Sequence, residues 1–156
     1  MSSKTADERA RQRERATIGR TAAGLAKQVE IGLGSVDLSL PQYRVLGLLD
    51  ESSAFSSALA ERLAVRPPSI TAIIDGLVAR GLVERRPVES DRRRVDHALT
   101  GAGLAMLNSA DAAVADRLCE IAACLDTPAE AERAFDGLAT WRHAFIAYRA
   151  ARRSAT

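Results

Sequence analysis

Apolar residues recur at steps of three or four along most of the chain, which is the spacing of one face of an α-helix. Breaks marked by proline, glycine and capping residues divide this pattern into six predicted helices. The first begins at a capping box formed by Thr5 and Glu8 and ends near Gly32 and Gly34. Its apolar stripe consists of Ile18, Ala22, Leu25, Val29 and Leu33.

Three shorter helices are predicted in the middle of the chain. The second helix opens with Pro41 in its first turn, where the missing N–H costs nothing. After a short connection at residues 52–55, the third helix covers residues 56–64. The fourth begins at Pro68 and is closed by Gly81 as a C-cap. The third and fourth helices are joined by a tight turn, which is the arrangement of a helix-turn-helix.

The fourth helix divides into an apolar face and a face of small or polar residues. The residues predicted to be buried are Ile70, Ile73, Ile74 and Leu77. The residues left towards solvent are Ser69, Thr71, Ala72, Asp75 and Gly76. Because these side chains are short, the helix can approach another surface closely. Helices of this kind dock their N-terminal turns into the major groove of DNA.

The pattern then changes to short runs of strand-forming residues. Residues 82–88 (LVERRPV) and 95–99 (VDHAL) are predicted to form two strands of a β-hairpin. The tip of the turn between them carries Asp91, Arg92, Arg93 and Arg94. Three adjacent cations have no use in a globular core, whereas each cation beside a nucleic-acid phosphate releases condensed counterions. The fold class is therefore mainly α with a small β-hairpin wing, a winged helix-turn-helix that indicates DNA binding.

Within the turn, Asp91 stands two residues before Arg93. We expect this carboxylate to hold the guanidinium in a forked ion pair and so to aim it. Arg92 and Arg94 would stay unpaired. A narrow minor groove, where negative potential is concentrated, is the natural receptor for such a wing.

Two long amphipathic helices are predicted after the hairpin. Thr100 caps the fifth helix, and a capping box from Thr127 to Glu130 opens the sixth with Pro128 in its first turn. The fifth helix carries an a/d repeat with one polar member: Leu104, Leu107, Asp111, Val114, Leu118, Ile121 and Leu125. The sixth has an apolar set of Ala131, Phe135, Leu138, Trp141, Phe145 and Tyr148. A small central module cannot cover all these stripes, so a second copy of the chain is the expected partner.

The charges support a division of one domain into three regions. At 156 residues the chain is one domain by length, with an N-terminal dimerisation helix at residues 1–37, a winged helix-turn-helix at 38–99 and C-terminal dimerisation helices at 100–156. The net charge is +2, but between Arg62 and Arg94 eight arginines stand against four carboxylates. A basic centre between near-neutral or acidic flanks suits a protein whose middle contacts a polyanion.

Several classes of protein are disfavoured. No apolar run is long enough to span a bilayer and the N-terminus lacks a signal-peptide core, so we expect a cytoplasmic protein. The basic residues are almost all arginine, which with the many alanines indicates a GC-rich bacterial genome. Cys119 and Cys124, five apart, fit neither a redox pair nor a zinc pattern and are expected to pack in the core. His97 and His143 are isolated, so we expect no metal site, no cofactor and no enzyme.

Residues 38–107 resemble the multiple antibiotic resistance regulator (MarR) family of bacterial transcription factors. The matching segments are LSLPQYRVLGLLDE, LVARGLVERRP, the Asp91-Arg92-Arg93 wing, and LTGAG before a long helix. The resemblance implies an obligate homodimer on pseudo-palindromic DNA, with recognition helices in successive major grooves and wings in flanking minor grooves. It further implies a repressor that a small phenolic or other lipophilic ligand releases from its operator, with a pocket near Tyr43.

On this basis the predicted DNA contacts of the recognition helix are Pro67, Pro68, Ser69, Thr71, Ala72 and Asp75. The proline rings and Ala72 can pack on thymine methyl groups. Asp75 has two interpretations: it accepts a hydrogen bond from a cytosine amine, or it pairs with an arginine such as Arg62 or Arg80. Many relatives carry a basic residue where this chain has Ala72, so the wing is expected to supply a larger share of the binding.

Two other functions remain open at this stage. A winged helix can grip a protein partner instead of DNA, and binding that depends steeply on salt would distinguish the two. The chain can also be a redox-sensing regulator that uses Cys119 or Cys124. Relatives that sense peroxides use a cysteine in the first helix, and this chain has none there.

Overall fold

The structure, a computed structural model, describes the chain over residues 2–88 and 91–154, and its side chains over residues 11–13, 15–87 and 95–151. Within these ranges the elements are α1 Ser2–Gly34, α2 Leu40–Glu51, β1 Ala54–Phe55, α3 Ser56–Leu63, α4 Pro67–Ala79, β2 Val83–Val88, β3 Asp91–Leu99, α5 Gly101–Ala122 and α6 Pro128–Ser154. The strands form one antiparallel sheet in the order β1-β3-β2. The predicted class, mainly helical with a small wing, is confirmed.

The chain forms two compact units, Met1–Arg117 and Leu118–Thr156. The first unit contains α1 to α4, the sheet and most of α5. The second contains the end of α5 and all of α6. This division falls within α5 and differs from the boundaries predicted at residues 37 and 99, which stay predictions.

The helix ends follow the local chemistry of the sequence. Ser39 and Gln42 form a capping box at α2, with the Gln42 N–H 3.4 Å from Ser39 Oγ and the Ser39 N–H 3.0 Å from Gln42 Oε1. The predicted box at α6 is also present, since the Thr127 N–H donates to Glu130 Oε2 at 3.1 Å. At Thr5 the prediction is wrong, because α1 begins at Ser2. Neither proline nor glycine precedes Thr5, so nothing stops the helix from extending to the earlier residues.

The core of the first unit lies where α2, α3, α4 and the sheet meet. Its largest fully buried side chains are Leu33, Val45, Leu46, Leu59, Ile70, Ile74, Leu77 and Val83. On the fourth helix Ile70, Ile74 and Leu77 are buried as predicted, whereas Ile73 is half-buried. Burying one face of each short helix is what stabilises it, because helices of 8 to 13 residues are marginal alone.

Strand β1 was missed by the sequence analysis, which predicted a connection at residues 52–55. Ala54 pairs with His97 and Phe55 with Asp96 in β3. The His97 ring is buried, and its Nδ1 lies 3.2 Å from the Ala54 carbonyl oxygen. A strand of two residues is too short to show any periodicity in the sequence. Its consequence is structural, because it fixes the start of α3 to the wing.

The junction between β3 and α5 is held by Thr100. Its Oγ1 accepts from the Gly103 N–H at 2.9 Å and donates to the Gly81 carbonyl at 2.8 Å. The Thr100 N–H donates to the Leu82 carbonyl at 3.2 Å. A Cβ built on Gly103 would lie 2.0 Å from that same Leu82 oxygen. The start of α5 is thus tied to the base of the wing, and Thr100 caps α5 as predicted.

Candidate nucleic-acid interface

The helix-turn-helix consists of α3 and α4. Helix α3 ends at Leu63, and Ala64 adopts the left-handed conformation at φ 54°. The Val65 N–H then donates to the Ala60 carbonyl at 3.0 Å, which closes the turn. The third helix was predicted to reach residue 64, and the left-handed φ of Ala64 is why it ends one residue earlier.

At its N-terminus, α4 leaves no free backbone N–H for an anion. Pro67 and Pro68 occupy the first two positions and have no N–H. The N–H groups of Ser69 and Ile70 both donate to the Arg66 carbonyl, at 3.0 and 3.2 Å. A helix N-terminus usually binds phosphate through such N–H groups. Here side chains must supply the contact.

Arg66 is the side chain placed to do so. It is the N-cap of α4, it is exposed, and within the described part of the chain its guanidinium has no hydrogen-bond or ion-pair partner. The sequence analysis missed this residue. The signal was present, since a basic residue stands directly before two prolines that open a recognition helix.

The exposed face of α4 agrees with the prediction. Pro67, Pro68, Ser69, Thr71, Ala72 and Asp75 are all exposed. The Thr71 hydroxyl donates to the Pro67 carbonyl at 3.1 Å, so its proton is used within the helix while its oxygen can still accept. Thr71 therefore offers an acceptor and a methyl group to an incoming surface. Gly76 is half-buried near Gln42.

Asp75 pairs with an arginine that the sequence analysis did not consider. Its carboxylate accepts from Arg85 of β2, so the interpretation that Asp75 pairs with an arginine is confirmed, while Arg62 and Arg80 were the wrong partners. Those two arginines are held elsewhere. Arg62 donates to Glu51, and Arg80 donates to the Asp37 carbonyl oxygen at 2.7 Å. Strand β2 packs beside α4, and that proximity is tertiary information that the spacing of residues does not contain.

The wing differs from its prediction in one respect. Asp91, Arg92, Arg93 and Arg94 were predicted at the tip of a turn, and they belong to β3. Pro87 pairs with Val95 while Val88 pairs with Asp91, so the three arginines form a bulge in the strand. Bulges bend a strand and re-aim its side chains. The predicted ion pair between Asp91 and Arg93 lies outside the described side chains.

Tyr43 joins α2 to α5. Its hydroxyl donates to the Asp111 carboxylate at 2.5 Å, which explains the polar member of the a/d repeat. Burial of the phenol, together with the neighbouring Asp111 carboxylate, raises the pKa of Tyr43 above its usual value. At the other end of α2 lies a cleft of about 400 Å³, whose polar lining includes Asp50, Ser53 and Arg86. Tyr43 does not line this cleft, so the two candidate ligand positions are separate.

Both cysteines are exposed, and the expectation that they pack in the core was wrong. Their neighbours Leu118, Ile121 and Leu125 carry the a/d repeat, and residues 119 and 124 fall beside that repeat. Over the described residues no group of three or more His, Cys, Asp or Glu side chains could hold a metal. Among the same residues no helix has an apolar segment long enough to cross a bilayer.

Comparison with known proteins agrees with this geometry. The model of the MarR family matches residues 36–94. The HTH-type transcriptional repressor Rv2887 of Mycobacterium tuberculosis is 31% identical over 114 residues, which cover 72% of this chain and 82% of the relative. Ligand-free MarR of Escherichia coli has a similar fold, with a TM-score of 0.71 and 25% identity over 80% of this chain and 93% of that one.

A structure with DNA is also similar. The transcriptional repressor CouR bound to a 23-mer DNA duplex has a TM-score of 0.65 and 28% identity, covering 81% of this chain and 89% of that one. The chain therefore belongs to the MarR family of winged-helix, DNA-binding transcriptional regulators, which are not enzymes.

Proposed function

We propose that the protein is a homodimeric, sequence-specific repressor that a small lipophilic or phenolic ligand releases from its operator. The observation that carries this proposal is the presence of two features in one chain: an exposed recognition face on α4 and a bulge of three arginines in the wing. The short side chains of α4 allow that helix to enter a major groove. The positive charge of the wing is attracted to the negative potential of a narrow minor groove. Such a regulator works in the cytoplasm, because that is the compartment that contains the DNA of a bacterium.

The DNA contacts divide into two groups. Pro67, Pro68, Ser69, Thr71, Ala72 and Asp75 supply the surface that meets base edges, and Asp91, Arg92, Arg93 and Arg94 supply the wing. Arg66 joins them as a phosphate contact at the start of α4. Because no Arg, Asn or Gln stands on the exposed face of α4, recognition there relies on short side chains and on close fit.

Dimerisation is supported by apolar side chains that the single chain leaves in solvent. Ile18 of α1 is 58% exposed and Trp141 of α6 is 59% exposed. Phe135, Leu138, Phe145 and Tyr148 are exposed as well, and the rings of Trp141 and Phe145 lie 5.9 Å apart. A second copy of the chain buries such stripes symmetrically. A symmetric dimer in turn fits a pseudo-palindromic operator, with half-sites about 34–36 Å apart.

Ligand control is supported by the cleft between α2, the sheet and α5. The cleft is open to solvent and its lining is more polar than apolar, so it would enclose only one side of a small molecule. Leu49, Leu99 and Leu104 give it apolar walls, while Ser53 and Arg86 can orient a polar end. Tyr43 is the second candidate contact, because its hydroxyl joins the same two helices. A ligand that prefers one spacing of α2 and α5 by about 1–3 kcal/mol would change operator affinity about 5- to 150-fold.

Selection from a random pool of duplexes gives the operator, and Arg93→Ala then tests the proposal. We expect operator binding to weaken by about 1 kcal/mol or more, since a groove arginine loses a charge-assisted contact. Fluorescence anisotropy measures the affinity and sedimentation checks that the dimer persists. Equal affinity for parent and variant would count against the wing. If no lipophilic acid changes operator binding by the parent protein, ligand control is wrong, and the proposed DNA binding is unaffected.

A second candidate function is redox control, which the exposure of Cys119 and Cys124 favours. Oxidation requires an accessible thiol, and both meet that requirement in the single chain. The test is the response of operator binding to peroxide, with a variant that carries Ser at both positions. An unchanged response in that variant would dismiss the thiols as sensors.

A further inference from the structure

An ion pair joins the exposed face of α4 to the wing strand. The Arg85 guanidinium donates to the Asp75 carboxylate, and the two side chains are 47% and 54% exposed. Asp75 lies three and four residues after Ala72 and Thr71, so all three share one face of α4. The pair therefore stands on the surface that we assign to DNA.

Each partner changes what the other can do towards a polyanion. An unpaired carboxylate on this face would be repelled by phosphates, and Arg85 neutralises it. Conversely, Asp75 occupies the Arg85 guanidinium, which in a free state would add one cation beside the wing. Each cation that reaches a phosphate strengthens binding to every duplex, whatever its sequence.

A second ion pair on the same strand provides a comparison. Arg86 Nε donates to Glu84 Oε1 at 2.8 Å. Because side chains alternate along a strand, Glu84 and Arg86 lie on the face opposite to Arg85. That second pair is local to β2, whereas Arg85 and Asp75 connect two different elements.

We infer that Asp75 is a positioning residue that limits sequence-independent affinity, because it holds Arg85 away from the DNA backbone. The pair lowers affinity for all duplexes equally, and discrimination is left to the short side chains of α4. Asp75 on this account does not read a cytosine. The inference rests on the proposed DNA binding and assigns one role within it.

The test compares Asp75→Asn with the parent on the selected operator and on a scrambled duplex, over a series of salt concentrations. Release of Arg85 should raise affinity for the scrambled duplex about tenfold and steepen the slope of log K against log salt by about 0.9, the value for one added phosphate contact. Affinity for the operator should rise by the same factor, so the ratio of operator to scrambled affinity should keep its parental value. Glu84→Gln is the matched control, because it removes the same charge and frees Arg86 on the other face, and its slope should equal the parental one.

A double variant keeps the test decisive. Arg85→Gln added to Asp75→Asn should return the slope to the parental value, because the freed cation is gone. Weaker operator binding by Asp75→Asn with an unchanged slope would show instead that Asp75 reads a base. The inference would also be overturned if Asp75→Asn changed neither the salt slope nor the affinity. The same holds if the double variant kept the steeper salt slope of Asp75→Asn. If the parent protein binds neither duplex, the proposed function itself is refuted. The binding curve of the parent, measured without any variant, identifies this outcome.

Discussion

At the scale of single residues, the two prolines that open α4 change which group meets a phosphate. They remove two backbone donors, so Arg66 is expected to replace them. Arg66→Ala should weaken binding to operator and scrambled duplexes by a similar factor and reduce the salt slope by about 1. Arg20→Ala, which removes an exposed arginine of α1, is the control. The measurement is anisotropy on both duplexes. A loss confined to the operator would instead make Arg66 a base contact.

Residue-level features were predictable where the determinant is local. Capping depends on neighbours within three residues, so the roles of Thr100 and Thr127 were found from the sequence. The partner of Asp75 was not, because Arg85 is ten residues away and reaches it only after β2 has packed beside α4. The exposure of Cys119 was missed although the sequence contains a signal for it, because residue 119 falls beside the a/d repeat of α5.

At the scale of elements, the contact between α5 and Leu82, the residue before β2, depends on Gly103. A Cβ there would overlap the Leu82 carbonyl oxygen at 2.0 Å, and this neighbour is backbone that cannot rotate away. Gly103→Ala should therefore lower the free energy of unfolding by about 1–3 kcal/mol, as overpacking does. Gly101→Ala, two residues earlier, meets nothing within 4 Å and should be neutral or slightly stabilising. Urea denaturation of both variants makes the comparison, and equal stability would contradict the contact.

The bond between Tyr43 and Asp111 makes the α2–α5 contact sensitive to alkaline pH. Burial and the carboxylate raise the pKa of Tyr43 in the folded state, so the unfolded chain loses this proton first. The stability that the bound Tyr43 proton contributes is complete below the unfolded pKa of about 10. It is lost as the pH rises from there towards the higher pKa of the folded state. Stability should thus fall more steeply with alkaline pH in the parent than in Tyr43→Phe.

Asp111→Asn is the companion variant for this pH dependence, because it keeps the Tyr43 phenol and removes the carboxylate that helps to raise its pKa. Its stability should fall less steeply than that of the parent between pH 8 and 11 in urea denaturation. Parallel curves for the parent and Tyr43→Phe would show that the folded and unfolded states hold the Tyr43 proton equally.

Among elements, the order and type of the helices were predictable because each has a long apolar period and a capping signal. Strand β1 was not, since two residues carry no period. The extension of β3 back to Asp91 was also missed, because three consecutive arginines give no alternation of apolar and polar residues. The bulge forms only where the strand pairs with Val88, and that register is a tertiary property.

At the scale of the whole molecule, the exposed apolar side chains of α6 make the strongest case for a second copy. Trp141→Glu places a charge in that stripe, where burial against a partner would leave it unpaired. We expect sedimentation to show a shift from dimer to monomer. Operator binding should weaken with it, because a monomer contacts one half-site and loses the gain from linking two.

Ala147→Glu is the matched control for this prediction. It adds the same charge to the same helix, six residues away and about 240° around the axis, which places it opposite the middle of the stripe. Ala147→Glu should stay dimeric and keep operator affinity, so that a loss in Trp141→Glu can be assigned to the stripe and not to charge on α6. Dissociation in both variants would mean that α6 is covered on two sides. A dimer in both would place the interface on α1 and α5, and the pseudo-palindromic operator would then depend on those helices.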